Sequence, residues 1–170
     1  TDSGFHIFNY GYPAKGGNKH AGLVIALSVH IVAIHQVVGI FAPRDPRLRG
    51  RLAAVRVKSR CDTVDFPLVG LYLPPSFANG ATRVLYNHIL AALHRFLASL
   101  PARTVPIICT DANAHIGLSS TPSDSIGDSQ PEKEDAAGAI VRQFLEAHEL
   151  AAFNTFRDAG ATFYSTTEGR

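Results

Sequence analysis

The sequence predicts an α/β fold in which an antiparallel set of strands precedes a parallel strand, helix, strand unit. Three observations carry this. Residues 22–58 hold short runs rich in Val, Ile, Leu and Ala, the composition of strands. Residues 67–73 and 105–109 are unbroken apolar segments of strand length. Between them Leu85, Ile89, Leu93, Phe96 and Leu100 recur at spacings of three and four, the period of an amphipathic helix. A strand, helix, strand series of these lengths requires two parallel strands joined by a right-handed crossover.

Taken in order, residues 1–20 are rich in Gly, Asn, Tyr and Pro and read as loop with one short strand. The glycine-rich stretch Gly16-Gly17-Asn18-Lys19-His20-Ala21-Gly22 precedes a strand instead of linking a strand to a helix, so it reads as a turn and not as a phosphate cradle. Residues 22–34 and 36–42 are predicted strands, and Pro43-Arg44-Asp45-Pro46 a loop. Residues 51–58 alternate, with Ala53, Val55 and Val57 on one side and Leu52, Ala54, Arg56 and Lys58 on the other, which predicts a half-exposed strand with its cations outward. The strand at 67–73 is ended by Pro74-Pro75-Ser76, the helix at 82–100 by Pro101, and the strand at 105–109 leads into Thr110-Asp111. Residues 118–134 form a loop longer than packing needs, of the kind that is functional or mobile. A second helix is expected over 134–149 through Ile140, Val141, Phe144 and Leu145, then a strand at 150–156, a turn at 158–160 and a strand at 161–165.

Composition narrows the class. At 46% hydrophobic and 18% charged, the 170 residues are expected to fold as one globular domain spanning 1–170. The most apolar stretch, 23–34, is interrupted by Ser28 and His30 and falls short of the ~18 residues of a membrane span, so no membrane partner is expected. No charged leader opens the chain, and Cys61 and Cys109 cannot make a disulfide framework, so an intracellular setting, nuclear or cytoplasmic and not secreted, is expected. A chain that starts at Thr1 and contains no Met is expected to be a fragment. Net charge is only +2, yet seven of the sixteen basic residues lie within 44–60. That local patch suits an anionic partner such as a nucleic-acid backbone, the alternative being a solvated strand face.

The residues that can do chemistry gather where an apolar run ends in polar groups, Ile107-Ile108-Cys109-Thr110-Asp111-Ala112-Asn113. A carboxylate at a strand end beside an amide can orient and deprotonate water, or hold a hard cation through oxygen. The same pair can equally form an Asx turn. Because the two strands of the crossover unit run the same way, Tyr72 near the end of one and Asp111 just past the end of the other belong to the same rim, the rim at which open α/β sheets bind ligands. A phenol there can stabilise charge on a phosphoryl oxygen, although a strand tyrosine is also a common core residue. His115 offers an acid or base or is simply a solvent-facing turn residue, and Cys109 is expected to be buried.

The ordered set, Leu68-Val69-Gly70-Leu71-Tyr72-Leu73-Pro74-Pro75-Ser76, a long helix, Thr110-Asp111-Ala112-Asn113-Ala114-His115-Ile116-Gly117, a helix, Asn154-Thr155-Phe156 and Thr162-Phe163-Tyr164-Ser165, resembles the endonuclease/exonuclease/phosphatase superfamily. Within it the chain is most like the apurinic-type endonuclease domains of non-LTR retrotransposons, the endonuclease-reverse transcriptase proteins, from about Gly22 onward. The resemblance implies a four-layer α/β/β/α sandwich of the DNase I type, truncated at both ends. It implies Mg²⁺-dependent phosphodiester hydrolysis of DNA, with Mn²⁺ as the alternative cofactor. Asp111 matches the family aspartate that activates water and contributes to the metal site, Asn113 the asparagine that positions water and phosphate, and Tyr72 the tyrosine that contacts the scissile phosphate. Asn154 and Thr162 match segments supporting the site or its DNA-binding face, and Arg44, Arg47, Arg49 and Arg51 are the candidate backbone contacts. Thr110 replaces the usual glycine before the aspartate. The family's N-terminal Asn, its metal-binding Glu and its C-terminal Asp-His pair have no counterpart. The alternatives are a hydrolase of the same fold acting on a small phosphate ester and an inactive remnant.

Overall fold

The computed structural model describes residues 4–11, 22–60, 65–75, 80–117, 123–129 and 133–158. It divides into two compact units, Thr1–Asn113 and Ala114–Arg170.

In the first unit, β1 (Phe5–Asn9) and β2 (Val24–Ser28) form an antiparallel pair. Residues 29–34, expected as strand, are instead a short helix, α1 (Val29–Ile34). Their β-branched composition favours a strand, but the Ser28 hydroxyl caps the helix by accepting the His30 N–H at 3.3 Å, and the Val29 N–H is taken by the Gly4 carbonyl at 2.9 Å. The turn delivers the chain to a second sheet, in the order β3 (His35–Phe41), β4 (Leu52–Ser59), β5 (Asp65–Tyr72), β6 (Ile107–Asp111).

The predicted division holds. β3, β4 and β5 pair antiparallel, and β5 and β6 pair parallel across the crossover helix α2 (Gly80–Ala98). Pro67 lies just before Leu68, the first residue of β5 in register with β6, where its missing N–H interrupts least.

Strand parity assigns the two faces of this sheet. Val55, Val57, Phe66 and Leu68 pack with Phe8, Ile25 and Leu27 of the two-stranded sheet. At Gly70 the first sheet lies close, since a Cβ there would meet Leu23 and Ile25 at 3.5–3.9 Å. On the opposite face α2 buries Tyr86, Ile89, Leu93 and Phe96, and the Phe96 ring lies 4.4 Å from that of Phe41. Helix, sheet and sheet thus stack in the order expected of an α/β sandwich.

Two expectations about exposure fail. β4 is buried over most of its length, and Arg56 is not a free outward cation: its guanidinium makes a bidentate ion pair with Asp65, which is 0% exposed, with Nε–O distances of 2.9 Å. β6 is not a buried strand, since it is the last in the order and the two-stranded sheet covers β4 and β5. Ile107 is 45% exposed, and Cys109, expected in the core, is an exposed free thiol.

In the second unit α3 (Ala136–Ala147) begins at Asp135, whose carboxylate caps the Gly138 N–H at 2.6 Å. Gly138 is required there because a Cβ would collide with the His115 carbonyl. Arg142 joins Glu134 and Glu146 at 2.9 and 3.1 Å along the helix. The strand expected at 150–156 is a 3₁₀ turn, Phe153–Thr155, with one bridge from Ala152 to Ile126. The Thr155 hydroxyl explains this: it donates to Ala152 O at 2.6 Å and accepts from Gly127 N–H at 2.7 Å, closing the backbone into a turn. The strand expected at 161–165, with Thr162, lies outside the described residues.

Candidate active site

The rim predicted from topology is formed by an exact pairing of two strand ends. Tyr72 of β5 stands in register with Asp111 of β6, so their side chains leave the sheet on the same face. Asp111 is the last residue of β6 and not the first beyond it, and it is exposed. The ladder continues for one more bond, Leu73 N–H to Asp111 O at 2.9 Å.

Beyond Asp111 the chain turns sharply. The Asp111 carboxylate accepts the Asn113 N–H at 3.2 Å, which is the Asx turn. Asn113 has φ of 45°, a left-handed conformation that Asn tolerates better than other residues with a Cβ. Its side-chain amide donates to Leu73 O at 2.7 Å, tying the turn after β6 back to the end of β5. The Asx turn and the candidate site are therefore the same object: the turn fixes one carboxylate oxygen and leaves the other for a ligand or a water. Tyr86 of α2 adds support from beneath through its hydroxyl bond to Ala112 O at 3.3 Å. Thr110 lies in the strand and does not have positive φ, so the position does not require glycine.

The basic residues separate into different roles. Arg44 and Arg49 are exposed. Arg47 is exposed but paired with Asp45 at 2.7 Å, which holds the Asp45 carboxyl down at about 2. Arg51, a candidate backbone contact from the sequence, is only 4% exposed. Its carbonyl accepts the Tyr72 N–H at 2.8 Å, and its guanidinium carbon lies 5.3 Å from the centre of the Tyr72 ring. Sequence alternation could not reveal this, because Arg51 and Tyr72 meet only once β4 and β5 are paired.

Asn154 is exposed in the 3₁₀ turn of the second unit, and Thr162 is outside the described residues. His115 is exposed, and its carbonyl accepts the Asp135 N–H at 3.1 Å. Among the described residues no three His, Cys, Asp or Glu side chains come together as a metal site. Mg²⁺ is ordinarily held through one or two carboxylates with waters and substrate phosphates. Of the two strand-end residues in register only Asp111 is a carboxylate, so it is the one that could contribute to such a site. No described helix is long and apolar enough to cross a membrane.

No family model and no curated protein sequence matches the chain. Its structure is similar to the endonuclease domain of TRAS1, a telomere-specific non-LTR retrotransposon, with a TM-score of 0.51 and 20% sequence identity over 85% of this chain and 52% of that one. The likeness shows a shared fold. The chain spans about half the length of the solved structure it matches.

Proposed function

We propose that this chain carries the Asp, Asn and Tyr part of a phosphodiesterase site acting on DNA, in the endonuclease domain of a retroelement-like protein of the nucleus or cytoplasm. The parent enzyme uses Mg²⁺ or Mn²⁺. The observation that carries the proposal is the pairing of Tyr72 with Asp111 on adjacent parallel strand ends, with Asn113 locked to Leu73 beside them. Its fold, shared with a domain that is itself a retrotransposon endonuclease, supports the same reading.

In this reading Asp111 accepts a proton from water as the water oxygen bonds to phosphorus in line with the departing oxygen. Asn113 sets the Asp111 rotamer through its N–H and orients the water. The Tyr72 hydroxyl donates to a non-bridging phosphate oxygen as charge develops there. Arg44 and Arg49 contact the backbone of the same strand. A second reading is an inactive remnant of the same fold.

The test is a plasmid-nicking assay in Mg²⁺ or Mn²⁺, with duplex binding followed by fluorescence anisotropy over a range of salt. The expected result is salt-sensitive binding weakened by Arg44→Glu and Arg49→Glu, and slow nicking that Asp111→Ala abolishes. DNA binding indifferent to salt and to both reversals, or nicking unchanged in Asp111→Ala, refutes the proposal. Salt-sensitive binding with neither nicking nor heat of Mg²⁺ binding by calorimetry selects the remnant.

A further inference from the structure

We infer that Arg51 is a positioning residue for Tyr72: its guanidinium, lying over the phenol ring, sets the ring so that the hydroxyl meets a phosphate at the rim. The inference rests on the phosphodiesterase reading and adds to it a residue that does not touch substrate.

Three features make the case. Arg51 is 4% exposed, an unusual place for a guanidinium, which is stable away from water only where its charge is engaged. Its carbon lies 5.3 Å from the Tyr72 ring centre, inside the range in which a cation is held by the negative face of a ring. The backbones are locked as well, Tyr72 N–H to Arg51 O at 2.8 Å, so cation and ring cannot slide apart along the strands. Tyr72 in turn is in register with Asp111. A tyrosine at a strand end has two torsions to settle, and its neighbour on the other side, Asp111, is exposed and cannot wall it in. The guanidinium over the ring supplies that wall.

A direct contact and a positioning role differ in measurable ways. An arginine that neutralises a phosphate changes the slope of log affinity against log salt by about 0.9, whereas one that acts through Tyr72 leaves it unchanged. The experiment is a double-mutant cycle on a fluorescein-labelled duplex, using Tyr72→Phe, Arg51→Met and the pair, with folding checked by circular dichroism. Each single change is expected to weaken binding by about tenfold, the worth of one charge-assisted hydrogen bond. The pair is expected to be no weaker than Tyr72→Phe alone, with the wild-type salt slope throughout. Losses that multiply, or a slope that falls with Arg51→Met, overturn the inference. If Arg51→Met does not fold, Arg51→Lys decides: the cation remains over the ring, so binding within about threefold of wild type is expected, and a loss equal to that of Tyr72→Phe overturns it. Should Tyr72→Phe itself leave binding unchanged, the role given to Tyr72 in the phosphodiesterase reading fails, a result distinct from one in which only Arg51 proves irrelevant.

Discussion

Replacing Arg56 by Met leaves Asp65 as a carboxylate with 0% exposure and without its guanidinium. The wild-type pair is held by two bonds of 2.9 Å from Nε and one of 2.5 Å from Nη2. Removing one partner of a buried pair costs about 3–5 kcal/mol. The Arg56 side chain is 28% exposed, so solvent already screens part of the interaction and the lower end, about 3 kcal/mol, is expected. Urea unfolding reads this directly: with a slope of about 2 kcal/mol per molar, the midpoint falls by about 1.5 M. The Arg56 guanidinium holds the Asp65 carboxyl below its usual range. The pair's contribution is therefore complete above the unfolded carboxyl value of about 3.9 and is lost as pH falls through the lower folded value. The gap between wild type and variant should be constant near neutrality and close in acid. Adding Asp65→Leu to Arg56→Met should recover most of the loss, because two apolar groups of similar volume leave no buried charge. A loss under about 1 kcal/mol at neutral pH, or one that persists undiminished in strong acid, refutes the reasoning. The pair also concerns the site, because it clamps β4 to β5 in the pairing that brings Arg51 to Tyr72.

Three further outcomes are expected. Asn113→Ala should cost about 2 kcal/mol by thermal unfolding, losing the bond to Leu73 and disfavouring positive φ, while Asn113→Gly, which keeps the φ, should cost about half as much. Gly138→Ala, which would stabilise an ordinary helix by about 1 kcal/mol, should instead lower the melting temperature, because its methyl would strike the His115 carbonyl; a rise would show that the backbone yields. The Asp45 carboxyl should titrate at about 2 by NMR, and Arg47→Gln should return it toward the ordinary carboxylate range.

What could be read from the sequence was what depends on period and on chain direction. The apolar runs flanking an amphipathic helix force a parallel crossover, and parallel strands bring Tyr72 and Asp111 to one rim before any coordinate is known. Register is a different matter, since no local pattern states that Tyr72 faces Asp111 or that Asn113 reaches Leu73. Arg56 was misassigned because alternation reports which side a residue takes and not whether that side is covered, and Arg51, a candidate backbone contact, proves buried for the same reason. Residues 29–34 and 150–156 have strand composition overridden by hydroxyl bonds from Ser28 and Thr155. Cys109 looked buried because its neighbours are apolar, while burial depends on what lies across the sheet.

The edge position of β6 has a consequence for how firmly the carboxylate is held. Among the described strands β6 is laced only to β5, so the amide protons on its other side exchange with solvent without any unfolding. Asp111 therefore stands on an edge strand of the sheet, while Tyr72 stands on an interior one. The two halves of the rim differ in compliance, and thermal motion of the outer strand changes their separation directly. A segment adding alongside β6 would stiffen the carboxylate half and leave the phenol half as it is, so backbone hydrogen exchange along Ile107–Asp111 is a direct gauge of how preorganised the site has become.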